Sequence, residues 1–252
     1  MSDAAKYNPH SRGSDKQAKA RETLLELFRD TPLPPEQLLT NLGLYTRSGP
    51  VAKFLFLDEI YQQILQVPGD VIEFGTWWGQ SLVTFLNLRA VYEPYCIRKV
   101  IGFDTFAGYQ TLSARDRQSD VIQRGNYSVS KDYESYLARL LDYHEAENVL
   151  SHIKKFELVR GDIAETVPKY FSDRPEAVVA LAYFDLAIYE PTKIALQAVK
   201  DRVVKGSLLV FDEFSDPDYP GETEAIREVL GLRSCVFRRS RYLPARTYAV
   251  VE

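Results

Sequence analysis

The sequence contains few of the features that mark secreted, membrane-bound or disulfide-rich proteins. Only two cysteines occur in 252 residues, Cys96 and Cys235, and they form neither a CxxC pair nor a Cys/His metal motif. Such isolated thiols are typical of a reducing compartment. Residues 1–20 are polar and lack the apolar core of a signal peptide, and no apolar run reaches the length of a membrane span. These absences predict a soluble, cytoplasmic protein.

An excess of positive charge is also missing. Lys and Arg together number 31 against 35 Asp and Glu, which gives a formal net charge of -4. Without a global basic field, neither nucleic acid nor an anionic membrane is expected as the main partner. The hydrophobic fraction of 45% is nevertheless large enough for a substantial core.

From Asp70 onward, short apolar runs alternate with segments of helical periodicity. This alternation is typical of βαβ units and predicts an α/β fold, a doubly wound and mostly parallel sheet. The last two runs are separated only by a short loop, so we expect them to pair in the antiparallel sense. Seven strands are predicted, at 71–74, 100–103, 156–159, 178–184, 208–211, 234–239 and 247–251, with helices between them at 81–92, 164–171, 192–204 and 222–230.

Two segments do not follow this alternation. Residues 1–68 have helical periodicity interrupted by a proline-rich loop, and we interpret them as an N-terminal helical appendage to a main domain at 69–252. Residues 109–148 form a long, polar, tyrosine-bearing insertion with a helix predicted near 132–145. Because loops of this length are usually functional, we expect the insertion to cover the site as a lid.

Acidic residues directly follow two of the predicted strands. Asp185 ends the run 178–184, and Asp212 and Glu213 end the run 208–211. Parallel strands share one carboxyl edge, where open α/β sheets bind their ligands, so these three carboxylates are expected to meet. Oxygen ligands favour Mg²⁺ over zinc. The alternative is that all three are helix caps or surface acids.

A glycine turn follows the first predicted strand. Gly75 allows a close approach of the backbone to a ligand, and Gly79 opens a helix whose N-terminal amides favour an anionic group. The pattern is not GxGxxG, which disfavours a nicotinamide dinucleotide. Glu73, at the end of the strand, suits a cofactor that carries an amine and a carboxylate.

Further acids follow the next two strands. Asp104 occupies the position at which doubly wound folds keep an acid for ribose hydroxyls. Asp162 and Ile163 could bind an adenine amino group and cover its face. Each acid alone could equally be a helix cap or a solvated loop residue, but the ordered series with Glu73 is more informative than its members.

Taken in order, these motifs resemble the class I S-adenosylmethionine-dependent methyltransferases, and among them the macrocin O-methyltransferase family of antibiotic-sugar enzymes. The resemblance covers roughly residues 70–215 and includes EFGTWWGQS, IGFDTFAGY, RGDIAETVPKYF, YFDLAIYEPT and LLVFDEF. It implies a Rossmann-like fold, S-adenosylmethionine and Mg²⁺ as cofactors, and a homo-oligomer. The implied reaction is methylation of a deoxysugar hydroxyl, such as the 3-hydroxyl of rhamnose carried on dTDP in enediyne antibiotic pathways.

The resemblance also implies roles for individual residues. Asp185, Asp212 and Glu213 would hold the metal, and Asp185 is in addition a candidate base. The family usually has Asp-Asp where this chain has Asp212-Glu213, so the longer Glu213 could shift the metal or lie outside its ligand set. The implied cofactor contacts are Glu73, Gly75, Thr76, Trp77, Ser81, Asp104, Thr105, Phe106, Gly161, Asp162, Ile163 and Asp185.

The insertion supplies further candidates. His144 could act as a base if the insertion folds over the site, although a histidine on a polar helix is more often exposed. Arg115, Arg117 and Arg124 could bind a sugar-linked diphosphate or could be ordinary surface charges. Three other functions stay open: a catechol-type methyltransferase acting on a small aromatic, a cofactor-binding module without turnover, and an NAD-linked sugar oxidoreductase.

Overall fold

A computed structural model describes residues 13–252, and its centre is a seven-stranded sheet with the strand order β3-β2-β1-β4-β5-β7-β6. The first five strands are parallel, and β7 runs antiparallel to both β5 and β6. The predicted α/β, doubly wound and mostly parallel fold is therefore confirmed. The strands are β1 Asp70–Phe74, β2 Val100–Asp104, β3 Phe156–Arg160, β4 Val179–Phe184, β5 Val203–Phe211, β6 Val236–Arg239 and β7 Thr247–Val250.

Helices cover both faces of this sheet. One face packs against α3, α4 and α5, and the other against α6, α7 and α8, so that β1, β2 and β4 are enclosed on both sides. The described helices are α1 Asp15–Arg29, α2 Pro35–Thr40, α3 Ser48–Gln63, α4 Gln80–Tyr92, α5 Tyr133–Ala146, α6 Ile163–Asp173, α7 Tyr189–Val199 and α8 Pro220–Val229, with a 3₁₀ helix at Leu42–Tyr45. In residues 13–252, no helix combines the length and apolar character needed to cross a bilayer.

The segment before β1 is not uniform in its packing. Helix α3 buries Phe56, Leu57 and Ile60 in the core, whereas α1 buries none of its residues. A hydrogen bond from the Tyr61 hydroxyl to Glu93 Oε2 at 2.7 Å further fastens α3 to the end of α4. Thus α3 is part of the main packing unit. The first 12 residues of the predicted appendage lie outside the described residues.

The junction between α7 and β5 differs from the prediction. The sequence pattern predicts one helix over 192–204, but α7 ends at Val199 and β5 begins at Val203. Gly206 has a φ of 90°, and the pairing of β4 with β5 is irregular between Val179 and Leu181. The Ser207 hydroxyl bridges this irregularity by donating to the Val179 carbonyl at 2.7 Å. Because the apolar pattern continues from helix into strand, periodicity alone did not separate them.

Candidate active site

A ladder of phenylalanines fixes the register of the four central strands at their carboxyl ends. Phe103, Phe74, Phe184 and Phe211 are direct neighbours across β2, β1, β4 and β5. Their rings stack with centroid separations of 5.1–5.3 Å. The next residue on each strand is therefore also aligned. This row consists of Asp104, Gly75, Asp185 and Asp212, at one edge of the sheet.

The row forms one wall of a cavity of about 590 Å³. Helix α3 contributes Lys53, and the loop between β6 and β7 contributes Arg246. The insertion contributes Tyr109 and Tyr127, whose ring centroids are 5.1 Å apart. The cavity is thus enclosed by segments from the N-terminal region, the insertion and the C-terminal hairpin.

Asp185, Asp212 and Glu213 come together as the sequence predicts. One carboxylate oxygen from each lies within 4.8 Å of the others. Burial, and then the charge of Asp212, raise the pKa of Asp185 to about 7. Burial likewise raises the pKa of Glu213 well above its ordinary value, with further contributions from Asp212 and Glu222. Three acids this close repel one another when ionised, so positive charge beside them would stabilise their ionised forms.

Asp212 is the member of this trio with the most protein contacts. Its Oδ1 accepts a hydrogen bond from the Tyr183 hydroxyl, and its Oδ2 lies 2.5 Å from Arg246 Nη2. Arg246 Nη1 also donates to the Asp212 carbonyl at 2.8 Å. These contacts fix the orientation of the carboxylate, as outer partners of metal ligands commonly do.

Glu222 is a fourth acid at this site that the sequence did not single out as functional. It is fully buried at the start of α8, and its Oε1 accepts a hydrogen bond from the Glu213 amide at 2.9 Å. Its pKa is raised well above the ordinary value, mainly by burial. Within residues 13–252, neither Glu213 Oε2 nor Glu222 Oε2 has a hydrogen-bond partner. The only sequence signal was an acid in the first turn of a helix, which is usually exposed.

Two of the predicted cofactor acids, Asp104 and Asp162, also line the cavity, and Glu73 is buried behind its wall. Asp104 accepts hydrogen bonds from the amides of Trp77 at 2.7 Å and Phe106 at 2.6 Å, so its carboxylate is held rigidly. Glu73 is 1% exposed, and its Oε2 has no hydrogen-bond partner among the described residues. Asp162 lines the cavity and also caps α6 by accepting from the Ala164 amide at 2.8 Å. The helix-cap alternative for Asp162 is therefore compatible with a binding role.

The predicted cofactor residues fall into two groups. The structure places seven of them in the cavity wall: Gly75, Trp77, Asp104, Thr105, Asp162, Ile163 and Asp185. The others lie directly behind it. Ser81 lies next to Glu73, the Phe106 amide donates to Asp104, the Gly161 amide donates to the Asp104 carbonyl at 3.0 Å, and Thr76 packs beside Gly102.

The need for glycine at position 75 has a specific cause. Its φ is 91°, and a Cβ atom there would lie 1.9 Å from the Asp185 carbonyl oxygen. The sequence predicts that Gly75 allows the backbone to approach a ligand closely. In the structure, Gly75 allows β1 to approach β4 closely. Gly75 allows Asp185 to occupy its place in the row.

His144 does not reach the cavity, and the prediction of a base there is corrected. Helix α5 begins at the carboxyl edge, where the Tyr133 hydroxyl donates to the Trp78 carbonyl at 2.9 Å. It ends at the amino edge, where Glu145 accepts from the Lys155 amide at 3.1 Å. At 1.5 Å per residue, His144 lies about 16 Å along the axis from Tyr133.

The arginines of the insertion also point elsewhere. Arg115 Nη1 lies 2.6 Å from Glu228 Oε2, and its guanidinium group packs over the Tyr189 ring. Arg117 donates to the Pro217 carbonyl at 3.3 Å, and Arg124 is exposed. None of the three lines the cavity.

Asp116 anchors the insertion beside the loops that carry the acid trio. Its Oδ1 accepts from the Tyr189 amide, the first residue of α7, at 2.7 Å. Its Oδ2 accepts from the Ser113 amide and hydroxyl at 2.8 and 2.9 Å. A second contact joins the hydroxyls of Tyr127 and Tyr219 at 2.7 Å. The insertion is therefore docked on the segments that follow β4 and β5.

Comparison with known proteins gives a consistent assignment. The family model for Macrocin-O-methyltransferase (TylF) matches residues 53–234. An 8-demethyl-8-(2,3-dimethoxy-alpha-L-rhamnosyl)-tetracenomycin-C 4'-O-methyltransferase of Streptomyces olivaceus is 26% identical over 155 residues, 59% of this chain. This chain spans about half the length of that relative, 54%.

Solved structures are similar over a larger part of the chain. A crystal structure of CalS11, a calicheamicin methyltransferase, is 39% identical, has a TM-score of 0.93 and covers 99% of both chains. An apo structure of CalS11, described as a TDP-rhamnose 3'-O-methyltransferase of calicheamicin biosynthesis, is 38% identical with a TM-score of 0.84, covering 95% of this chain and 96% of that one. The O-methyltransferase NovP, at 17% identity, a TM-score of 0.63 and 80% coverage of both chains, shares the fold.

Proposed function

This chain belongs to the macrocin O-methyltransferase family, and we propose that it transfers a methyl group from S-adenosylmethionine to a hydroxyl of a nucleotide-linked deoxysugar, with Mg²⁺ as the metal. One observation carries the proposal. The three carboxylates of Asp185, Asp212 and Glu213, with oxygens within 4.8 Å, share one cavity with Asp104 and Asp162. An acid cluster suited to a cation thus faces the acids suited to a nucleoside.

The cavity fits the cofactor in its chemistry. S-adenosylmethionine supplies a methyl group on a positively charged sulfur. Glu73 offers a buried carboxylate oxygen that lacks a hydrogen-bond partner among the described residues, which suits the methionine ammonium. Asp104 would accept hydrogen bonds from the ribose hydroxyls, and Asp162 and Ile163 would contact the adenine.

The acid trio fits a divalent cation. All its donors are carboxylate oxygens, and Glu213 Oε2 has no hydrogen-bond partner among residues 13–252. Such a set favours Mg²⁺, which would lower the pKa of a sugar hydroxyl bound next to it. Without a metal the pKa of Asp185 is about 7, and a bound cation would lower it, so Asp185 faces the cavity as an ionised group that would accept the hydroxyl proton.

The acceptor side is formed largely by aromatic residues. Tyr109 and Tyr127 from the insertion, together with Trp77 and Tyr219, line the cavity. Rings of this kind can bury the apolar face of a deoxysugar while their polar atoms bind hydroxyls. By analogy with the CalS11 structures, we propose the 3-hydroxyl of a TDP-rhamnose-type sugar as the acceptor.

Mass spectrometry with S-adenosylmethionine and Mg²⁺ tests the acceptor. We expect dTDP-rhamnose to gain one methyl group, with NMR of the product placing it on the 3-hydroxyl. A catechol run in parallel addresses the aromatic-acceptor alternative. Methylation of the catechol with none of the sugar nucleotide would refute the sugar assignment.

Calorimetry with S-adenosylhomocysteine tests the cofactor independently of the acceptor. We expect saturable binding at one site. Binding without turnover on any acceptor would support the cofactor-binding module instead. The absence of any binding would remove the methyl-transfer proposal.

A further inference from the structure

Among the described residues, two cationic side chains line the cavity, Lys53 and Arg246. Of these two, only Arg246 forms hydrogen bonds there. Arg246 is tied to the Asp212 carboxylate and to the Asp212 carbonyl. Lys53, on α3, has its Nζ 3.9 Å from Asp185 Oδ2, beyond hydrogen-bond distance. The Lys53 side chain is 23% exposed, so its ammonium group is open to the cavity. Its donors are available for a ligand.

Lys53 lies within electrostatic reach of Glu73, which is buried behind the cavity wall. The Lys53 charge is the main influence that opposes the burial-driven rise in the pKa of Glu73. Glu73 sits at the end of β1, next to β4, which carries Asp185. Lys53, contacting Asp185 from α3, is therefore the nearest described cation for a ligand that also reaches Glu73.

A cavity-lining ammonium and an unpartnered carboxylate just behind the cavity wall together complement a zwitterion. An amino-acid head group carries both opposite charges, and each charged partner forms a stronger hydrogen bond than a neutral one. Glu73 alone would satisfy the ammonium of such a group and would repel its carboxylate. The site therefore needs a cation beside Glu73, and Lys53 supplies it.

We propose that Lys53 binds the carboxylate of the methionine moiety of S-adenosylmethionine while Glu73 binds its ammonium. This assignment rests on the proposed function. It gives α3, which precedes the first strand, a direct part in cofactor recognition.

The test compares two ligands that differ only in the carboxylate. S-adenosylmethionine and decarboxylated S-adenosylmethionine share the ammonium, the sulfonium and the adenosine. Affinities of the wild type and of Lys53→Met are measured by calorimetry in EDTA, so that metal binding does not contribute. The readout is the ratio of the two affinities, because any effect of the variant on Glu73 acts on both ligands alike.

We expect the wild type to prefer the carboxylated ligand by about ten-fold or more, the size of one charge-assisted hydrogen bond. Lys53→Met should reduce this preference to near unity, and Lys53→Arg should restore part of it. Lys169→Met, at an exposed lysine of α6, is the matched control and should keep the wild-type ratio.

An unchanged ratio in Lys53→Met would overturn the assignment, as would an equal loss of affinity for both ligands. Thermal melting without ligand verifies that each variant is folded. Failure of the proposed function gives a different result, in which the wild type binds neither ligand.

Discussion

Replacing Arg246 by methionine should destabilise the metal-free protein by about 3 kcal/mol. The guanidinium group lies 2.5 Å from Asp212 Oδ2, and the Asp212 side chain is only 4% exposed. Removing one partner of a buried pair costs about 3–5 kcal/mol, since the other charge stays buried without compensation. Arg246 is 27% exposed, which places the loss at the lower end of that range. For a chain of this length, the expected fall in Tm is about 6–12 °C.

Thermal unfolding in EDTA and then in Mg²⁺ measures this effect and links it to the acid trio. A divalent cation would replace the positive charge that Arg246→Met lacks, so Mg²⁺ should raise the Tm of the variant more than that of the wild type. Arg238→Met, on the exposed strand of the same hairpin, is the control and should change stability by less than about 0.5 kcal/mol. The reasoning is contradicted if the variant has the same Tm as the wild type in EDTA, or if Mg²⁺ raises the Tm of the variant no more than that of the wild type.

Three other predictions concern the insertion, the pH response and the glycine turn. Asp116→Ala removes the hydrogen bond that docks the insertion on α7 and two more within the insertion, so steady-state kinetics should show a raised acceptor KM with unchanged S-adenosylhomocysteine affinity; a changed affinity alone would argue against this role. Because the pKa of Asp185 rises from 3.8 to about 7 in the folded protein, its stabilising contribution is complete below about pH 4 and is lost as pH rises through 7. Urea unfolding in EDTA should show a larger loss in the wild type than in Asp185→Asn, which keeps the buried Glu213 and Glu222; equal losses would contradict this assignment. Gly75→Ala should lower Tm and abolish methyl transfer, since its Cβ would meet the Asp185 carbonyl; an active variant would show that β1 can move aside.

The sequence was sufficient to predict which acids lie at the carboxyl edge of the sheet, because the end of a strand is a local feature of the sequence. Asp104, Asp185 and Asp212 each directly follow a phenylalanine at the end of an apolar run, so alignment of the parallel strands was enough to bring these acids to one edge. Which acids meet there was therefore predictable. Their electrostatic surroundings were not.

Lys53 and Arg246 could not be assigned from their own segments. Lys53 is one polar position on a helix, and Arg246 is one of several arginines near the C-terminus. Each reaches the acids only because α3 and the β6–β7 hairpin pack beside the carboxyl edge. The prediction that His144 acts as a base failed for a similar reason. Helical periodicity shows which face of α5 is apolar but not which end of the helix lies near the site.

The two cations also connect the cofactor to the metal. Lys53 is the closest described countercharge of Asp185, at 3.9 Å, and under our proposal it turns to the carboxylate of the cofactor. Asp185 would then lose part of its neutralisation and attract a divalent cation more strongly, while Arg246 stays with Asp212. Because linkage is reciprocal, a bound cation would also release Lys53 for the cofactor. Mg²⁺ affinity measured with and without S-adenosylhomocysteine reports this coupling, and equal affinities would mean that Lys53 does not move between the two partners.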